Sequence, residues 1–167
     1  MLASNYRYFS DHNFENKIIA EMKKQQGAIK MAKNEEEVKN SPFGFGEPNT
    51  AYAKYFAGNS YLNPLANKAN CSISNVSFEP GCINHWHKHT VPQTLVCVAG
   101  EGWVQEEGKP AHKMTPGDVY VVAPNTKHWH GAAKDSWFAH LSIMADTNKA
   151  KSTWLEPVDE DCYNNLK

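Results

Sequence analysis

Six of the eight histidines fall in two short windows and their surroundings: His85, His87 and His89, then His128, His130 and His140. Imidazole is the side chain that both ligates first-row metals and exchanges a proton near neutral pH, so such clustering has chemical content. In a strand, side chains two apart share a face, so His87 and His89 look into one space and His128 and His130 do the same from a later strand. Gln93 stands at the start of the segment Thr94 to Ala99, where a turn through Val91-Pro92 brings it beside the first pair. Three imidazoles and one carboxamide oxygen converging inside a small barrel would form an open, mixed nitrogen and oxygen site for a divalent first-row metal. One His-x-His alone reads about as well as a pair of satisfied polar residues in a half-buried sheet. The second, spaced motif shifts the balance to a site.

The elements that must hold these residues are legible from turn chemistry. Glu79-Pro-Gly81, Ala99-Gly-Glu-Gly102, Glu107-Gly-Lys-Pro110, Thr115-Pro-Gly-Asp118 and Ala123-Pro-Asn125 separate short segments rich in Val, Ile, Phe, Tyr and Trp. Even spacing of this kind predicts antiparallel strands over 72–78, 84–89, 94–99, 103–106, 119–122, 127–130 and 136–144, enough for a barrel or sandwich. Residues 1–47 differ: Phe14, Ile18, Ile19 and Met22 recur at helical spacing and Gly27 is a stop signal, which predicts one amphipathic helix. Asn34 to Lys39 and the run Ser41-Pro-Phe-Gly-Phe-Gly-Glu-Pro48 then read as a linker. The expected organisation is an extension over 1–47 and a β domain over 48–167.

The chain has 167 residues, 41% hydrophobic and 21% charged, with Lys+Arg 17 against Asp+Glu 18, the profile of one ordinary globular domain with a short appendage. A net charge of -1 and the lack of a Lys/Arg stripe argue against nucleic acid as a partner. The longest apolar run, Leu95 to Ala99, is far below the roughly 20 residues of a membrane span, and Met1 to Asn13 lacks the apolar core of a secretion signal. The expected address is the cytoplasm, with no membrane partner. Cys71, Cys82, Cys97 and Cys162 contain no Cys-x-x-Cys pair, so buried free thiols are the expectation.

The segment from Gly81 through His87, His89 and Gln93 to Gly100 resembles the first cupin motif, with Gln93 in place of the ligand Glu. Gly117 to His128 is similar to the second, with Ala123 where the family has proline and Asn125 where it has glycine; asparagine is the next most tolerant residue of positive φ. The resemblance spans about residues 70 to 145 and implies an all-β double-stranded β-helix, the cupin jelly-roll barrel. Gln93-Thr-Leu, Gly100-x-Gly-Trp103, the run Lys127 to Ala132, His140 to Ile143 and Trp154 to Val158 are similar to small bacterial cupins. These include manganese-dependent hydroxynitrile lyases and single-domain proteins labelled carboxymuconolactone decarboxylase-like. That likeness implies metal ligation by His87, His89, Gln93 and His128, by manganese first, with iron, nickel, cobalt or zinc as alternatives. It implies that His130 and His140 line the cavity, with His140 as the first choice for a catalytic base and His130 as a second base or an orienting group.

A carboxamide in place of a carboxylate leaves the ligand set neutral, so a bound ion keeps its full charge and favours anionic oxygen, which suits Lewis-acid work. The expected function is a metal-dependent lyase acting on a small oxygenated molecule by cleaving or forming a carbon–carbon bond. A dioxygenase and a non-catalytic small-ligand cupin are the alternatives. His85 reads as rim or structural. Trp86 and Trp129 each lie between two inward histidines and so face away from the cavity. They call for cover, either from another layer of the same barrel or from a homodimer in which Tyr52 to Leu65 crosses to the second subunit, the reading favoured here.

Overall fold

The computed structural model describes residues 33–166 together with Lys17. The amphipathic helix expected around Phe14 to Met22 lies outside the described residues. After a short helix α1 (Glu35–Lys39) the chain runs through β1 (Glu47–Pro48), a 3-10 helix (Thr50–Tyr55), β2 (Phe56–Ala57), β3 (Ser60–Lys68), β4 (Cys71–Phe78), β5 (Ile83–Asn84) and β6 (His87–His89). It continues through β7 (Gln93–Gly100), β8 (Gly102–Glu106), β9 (His112–Met114), β10 (Val119–Val122), β11 (His128–Ala132), β12 (Phe138–Ala145), β13 (Ser152–Trp154) and helix α2 (Glu160–Asn164). One sheet has the order β1-β3-β4-β12-β7-β10; the other runs β13-β6-β11-β5-β2, with β8 on β11 and β9 on β8. All pairings are antiparallel, as the turn spacing predicts. None of the described helices is long and apolar enough to cross a membrane.

The inward faces of the two sheets divide the interior into two ends. Val76, Phe78, Leu95, Cys97, Val104, Met114 and Phe138 form an apolar core at one end. Continuing along the same strands, the inward residues become Ser72 and Ser74 on β4, Gln93 on β7, and His140 and Ser142 on β12, and here the interior opens into a cavity. The apolar end anchors the strands, so the polar end is held without a core of its own.

Two turns set this frame. Gly100 has φ +70 and a Cβ there would stand 1.9 Å from the carbonyl oxygen of Trp137, so only glycine lets β7 pass β12 at that point. Asn125 has φ 62, the left-handed conformation anticipated for it, and its backbone N–H donates to the His89 carbonyl at 2.6 Å. The turn before β11 is thereby tied to the His-x-His strand.

Several elements depart from the sequence expectation. The strand expected over 84–89 breaks at His85 and Trp86, which pair outside it with Tyr55 and Glu156. The stretch expected as a linker from Asn34 contains α1, whose Val38 is fully buried against Ala99, Trp137 and Ala139. Gly44 and Phe43 then offer carbonyls to Asn75 and Asn63. A burial partner, absent from any local pattern, makes this segment structured. Strands β1, β2, β3, β9 and β13 were not anticipated, and β3 pairs with β4 of its own chain along most of its length. Trp129 is covered by α2, whose Tyr163 lies edge-on at 6.0 Å, so its burial needs no second subunit. All four cysteines are free, with Cys82 and Cys97 buried as expected but Cys71 half-buried and Cys162 exposed.

Candidate metal centre

Five histidines are buried in the polar end of the barrel: His87, His89, His128, His130 and His140. The ladder places His128 of β11 directly opposite His87 of β6, and their ring centroids are 4.1 Å apart. His89 lies 5.0 Å from His87 and 5.4 Å from His128 by the same measure. His87, His128 and His130 each place a ligand atom within 4.8 Å of the others'. The sequence expectation put His89 in that set and His130 beside it; in the structure all four rings adjoin, and their hydrogen bonds differ.

Those bonds decide which nitrogens are free. Nδ1 of His87 donates to the carbonyl of His85 at 2.9 Å, and Nδ1 of His128 donates to the carbonyl of Thr126 at 3.0 Å. A carbonyl only accepts, so the proton sits on Nδ1 and Nε2 carries the lone pair in both rings. Ser152 Oγ holds Nδ1 of His89 at 2.9 Å, leaving its Nε2 buried without a hydrogen-bond partner. The Gln93 amide is turned so that Nε2 donates to Ser142 Oγ at 2.9 Å while Oε1 faces Nε2 of His128 at 3.0 Å. Two acceptors at that distance repel unless a cation lies between them, and donors sharing one first-row ion at bonds of about 2.1 Å stand about 3 Å apart. The orphaned His89 nitrogen, worth about 1–3 kcal/mol as an unmet buried group, has the same remedy. The lone pairs of His128, Gln93 and His89 are thus of the kind a divalent ion would satisfy, all from neutral donors, while the three imidazoles whose ligand atoms lie nearest together are His87, His128 and His130.

His130 is engaged differently. Its ring meets His140 Nε2 through Nδ1 at 3.2 Å, and Asn84 Nδ2 approaches both ring nitrogens at 3.2 and 3.1 Å. Asn84 Oδ1 also accepts the His130 backbone N–H, fixing the amide's direction. His130 and His140 meet edge to face with centroids 4.7 Å apart, backed by Phe78. Burial holds His140 down at about 4 and His89, with help from His128, at about 4. It lowers His128 as well, and burial with neighbouring imidazoles holds His87 and His130 well below the usual range. The cluster is uncharged at neutral pH, the state a metal requires of its ligands.

His87, His89, Gln93, His130 and His140 open onto a cavity of about 200 Å³ whose other walls include the apolar Phe56, Leu62, Val76, Met144 and Trp154 and a row of serines and asparagines. Trp154 stacks on Tyr55 with centroids 4.6 Å apart and lies 4.7 Å from His87. His85 stays outside, edge-on to Tyr55, consistent with a structural place. Sequence reasoning missed Asn84, Ser142, Ser152 and Trp154. Ser142 was findable, since it lies two residues after His140 on the same strand face. Ser152 and Trp154 sit on β13, which no local pattern joins to β6.

Comparison with known proteins bears on this site. The chain is 37% identical over 114 residues to a protein named (R)-mandelonitrile lyase from Granulicella tundricola, covering 66% of this chain and 87% of that one. A cupin-like protein from Thermotoga maritima superposes with a TM-score of 0.70 at 35% identity, over 75% of this chain and 96% of its own. The DMSP lyase DddQ from Ruegeria pomeroyi, at 18% identity, a TM-score of 0.53 and coverage of 73% and 60%, shares the fold. The family description "Cupin domain" matches residues 74–144, the span from β4 through β12 that carries every inward histidine. With the double-stranded β-helix, the histidine cluster and these relatives in agreement, the chain belongs to the cupin superfamily.

Proposed function

We propose that this protein is a metal-dependent lyase that cleaves or forms the carbon–carbon bond beside a hydroxyl group, as in a hydroxynitrile. The observation that carries the reading is a cavity of about 200 Å³ lined by His87, His89 and Gln93, with His128 buried behind them against Gln93, and by a separate, uncharged imidazole pair, His130 and His140. The likeness to a named mandelonitrile lyase supports it.

His87, His89, Gln93 and His128 would hold the ion, with manganese the first expectation. When bound, a divalent ion supplies Lewis acidity toward a substrate oxygen. The chain's own residues supply the rest. His140, whose Nε2 is hydrogen-bonded to His130 and whose Nδ1 has no partner, receives on Nδ1 the proton of the substrate hydroxyl as the carbonyl forms and the bond to the nitrile carbon breaks. The electron pair leaves with cyanide, which then takes that proton back, so charge balances over the cycle. His130, braced by Asn84, keeps the His140 ring in place. The apolar wall of Phe56, Leu62, Met144 and Trp154 receives the organic part of a small substrate and keeps water from the imidazole pair.

Metal-loaded protein given mandelonitrile under anaerobic conditions tests this by release of benzaldehyde. Inertness toward every cyanohydrin and aldol-type adduct without dioxygen, with activity on an electron-rich substrate restored by dioxygen, would replace the lyase reading with an oxygenase.

A further inference from the structure

The inward face of β4 changes character along its length. Phe78 and Val76 are apolar and belong to the core, while the next two inward residues, Ser74 and Ser72, are half-buried and line the cavity. Ladder register sets their place. Val76 lies opposite His140, Ser74 opposite Ser142, and Ser72 opposite Met144, which in turn faces Gln93 of β7. Ser74 thus stands on the rung between that of His140 and that of Gln93. The other polar side chains of this wall are engaged within the protein: Asn84 braces His130, Ser142 turns Gln93, Ser152 holds His89 and Asn49 donates to Ser60. Among the described residues the hydroxyls of Ser72 and Ser74 have no such side-chain partner, although both face the cavity.

We infer that the substrate carries a second, uncharged oxygen, a hydroxyl or carbonyl one ring or a short carbon chain away from the reacting hydroxyl, and that Ser74 and Ser72 bind it; this rests on the lyase reading of the cavity. A serine hydroxyl both donates and accepts, so it pairs with either kind of oxygen. No Lys or Arg lines the cavity among the described residues, which disfavours a carboxylate or phosphate on this wall. Ser74 is diagonal to His140 across the β4–β12 ladder, a relation that spans about 7–8 Å. An oxygen bonded to Ser74 at about 2.8 Å therefore comes within a few carbon–carbon bonds of one held by His140. An apolar group pressed against this wall would displace water from both hydroxyls and leave them unpaired, whereas a matching oxygen replaces that water. Phe56, Leu62 and Trp154 take the carbon frame, and the serines select among frames.

Calorimetric titration of the metal-loaded full chain with benzyl alcohol, 3-hydroxybenzyl alcohol and 4-hydroxybenzyl alcohol tests this without need of turnover. At least one hydroxy derivative should bind about tenfold more tightly than benzyl alcohol, the yield of one or two hydrogen bonds. Ser72→Ala with Ser74→Ala should bring that ratio close to one, and each alanine alone should lower it part of the way, so the outcome does not hinge on the double variant. Ser74→Thr, which keeps the hydroxyl, should retain most of the ratio. Equal affinities for the three alcohols, no binding of any, or a ratio unchanged by the alanines in protein of wild-type melting temperature and metal content would overturn the inference. Anaerobic cleavage of mandelonitrile is read separately: turnover without the hydroxy preference overturns this inference alone, and the preference without turnover on any cyanohydrin or aldol-type adduct overturns the lyase reading alone.

Discussion

Oε1 of Gln93 lies 3.0 Å from Nε2 of His128, and each is turned there by another bond: Gln93 by Ser142, His128 by the carbonyl of Thr126. Two lone pairs are thus aimed at each other in a buried site. The arrangement is stable when a cation lies between them, and the first expectations concern that cation.

Purified protein should carry about one divalent ion per chain, the capacity of a single four-donor site. His87→Ala or His128→Ala should abolish it, as read by elemental analysis. Chelation should lower the melting temperature of the wild type and leave that of either variant nearly unchanged, since binding to the folded state alone stabilises by mass action. Full metal retention by either variant would refute its place as a ligand.

Gln93→Glu should keep or strengthen metal binding and weaken inhibition by azide or thiocyanate. The added negative charge offsets that of the ion, and the Ser142 hydroxyl can donate to the new carboxylate, so the side chain stays in place. Unchanged anion affinity would mean that position 93 does not touch the ion.

His140→Ala should leave metal content intact and lower the rate of cyanohydrin cleavage by roughly 10² to 10⁴, the usual share of a general base. His130→Ala should cost less, because it acts through the His140 ring. Equal losses in both variants would make the two histidines one unit rather than base and support.

The metal-free protein should lose stability as pH falls from about 6.5 to about 4. Burial lowers His140 from its ordinary value of 6.5 to about 4 in the folded state, so across that window the unfolded chain binds a proton that the folded chain refuses. The stability is present above pH 6.5 and lost below it. A shift of this size is worth roughly 3 kcal/mol at most. Urea midpoints of wild type and His140→Asn at pH 7.5 and 4.5 should differ in their pH dependence by about 2–3 kcal/mol; parallel curves would contradict the burial effect.

The sequence by itself determined the pairing of His87 with His89 and of His128 with His130, because strand periodicity is local and a side chain's face follows from its neighbours along the chain. It also determined the turn at Asn125, where residue chemistry and backbone conformation are one matter. The antiparallel class followed from regular turn signals, and Trp129 faces away from the cavity as its place between two histidines requires. Only the tertiary structure decided which nitrogen of each ring is free, since that depends on Thr126, Ser152 and the break at His85. Only it brought Ser142 to Gln93, Asn84 to His130 and Trp154 to His87, across separations of 49, 46 and 67 positions, through the register of β12 on β7, β11 on β5 and β13 on β6. It also gave Asn34 to Gly46 a fold, because Val38 is held by Trp137 and Ala139, far along the chain. Local patterns fix the side of a strand on which a group stands; the partners it meets there are set by strand register and burial, which no short stretch of sequence contains.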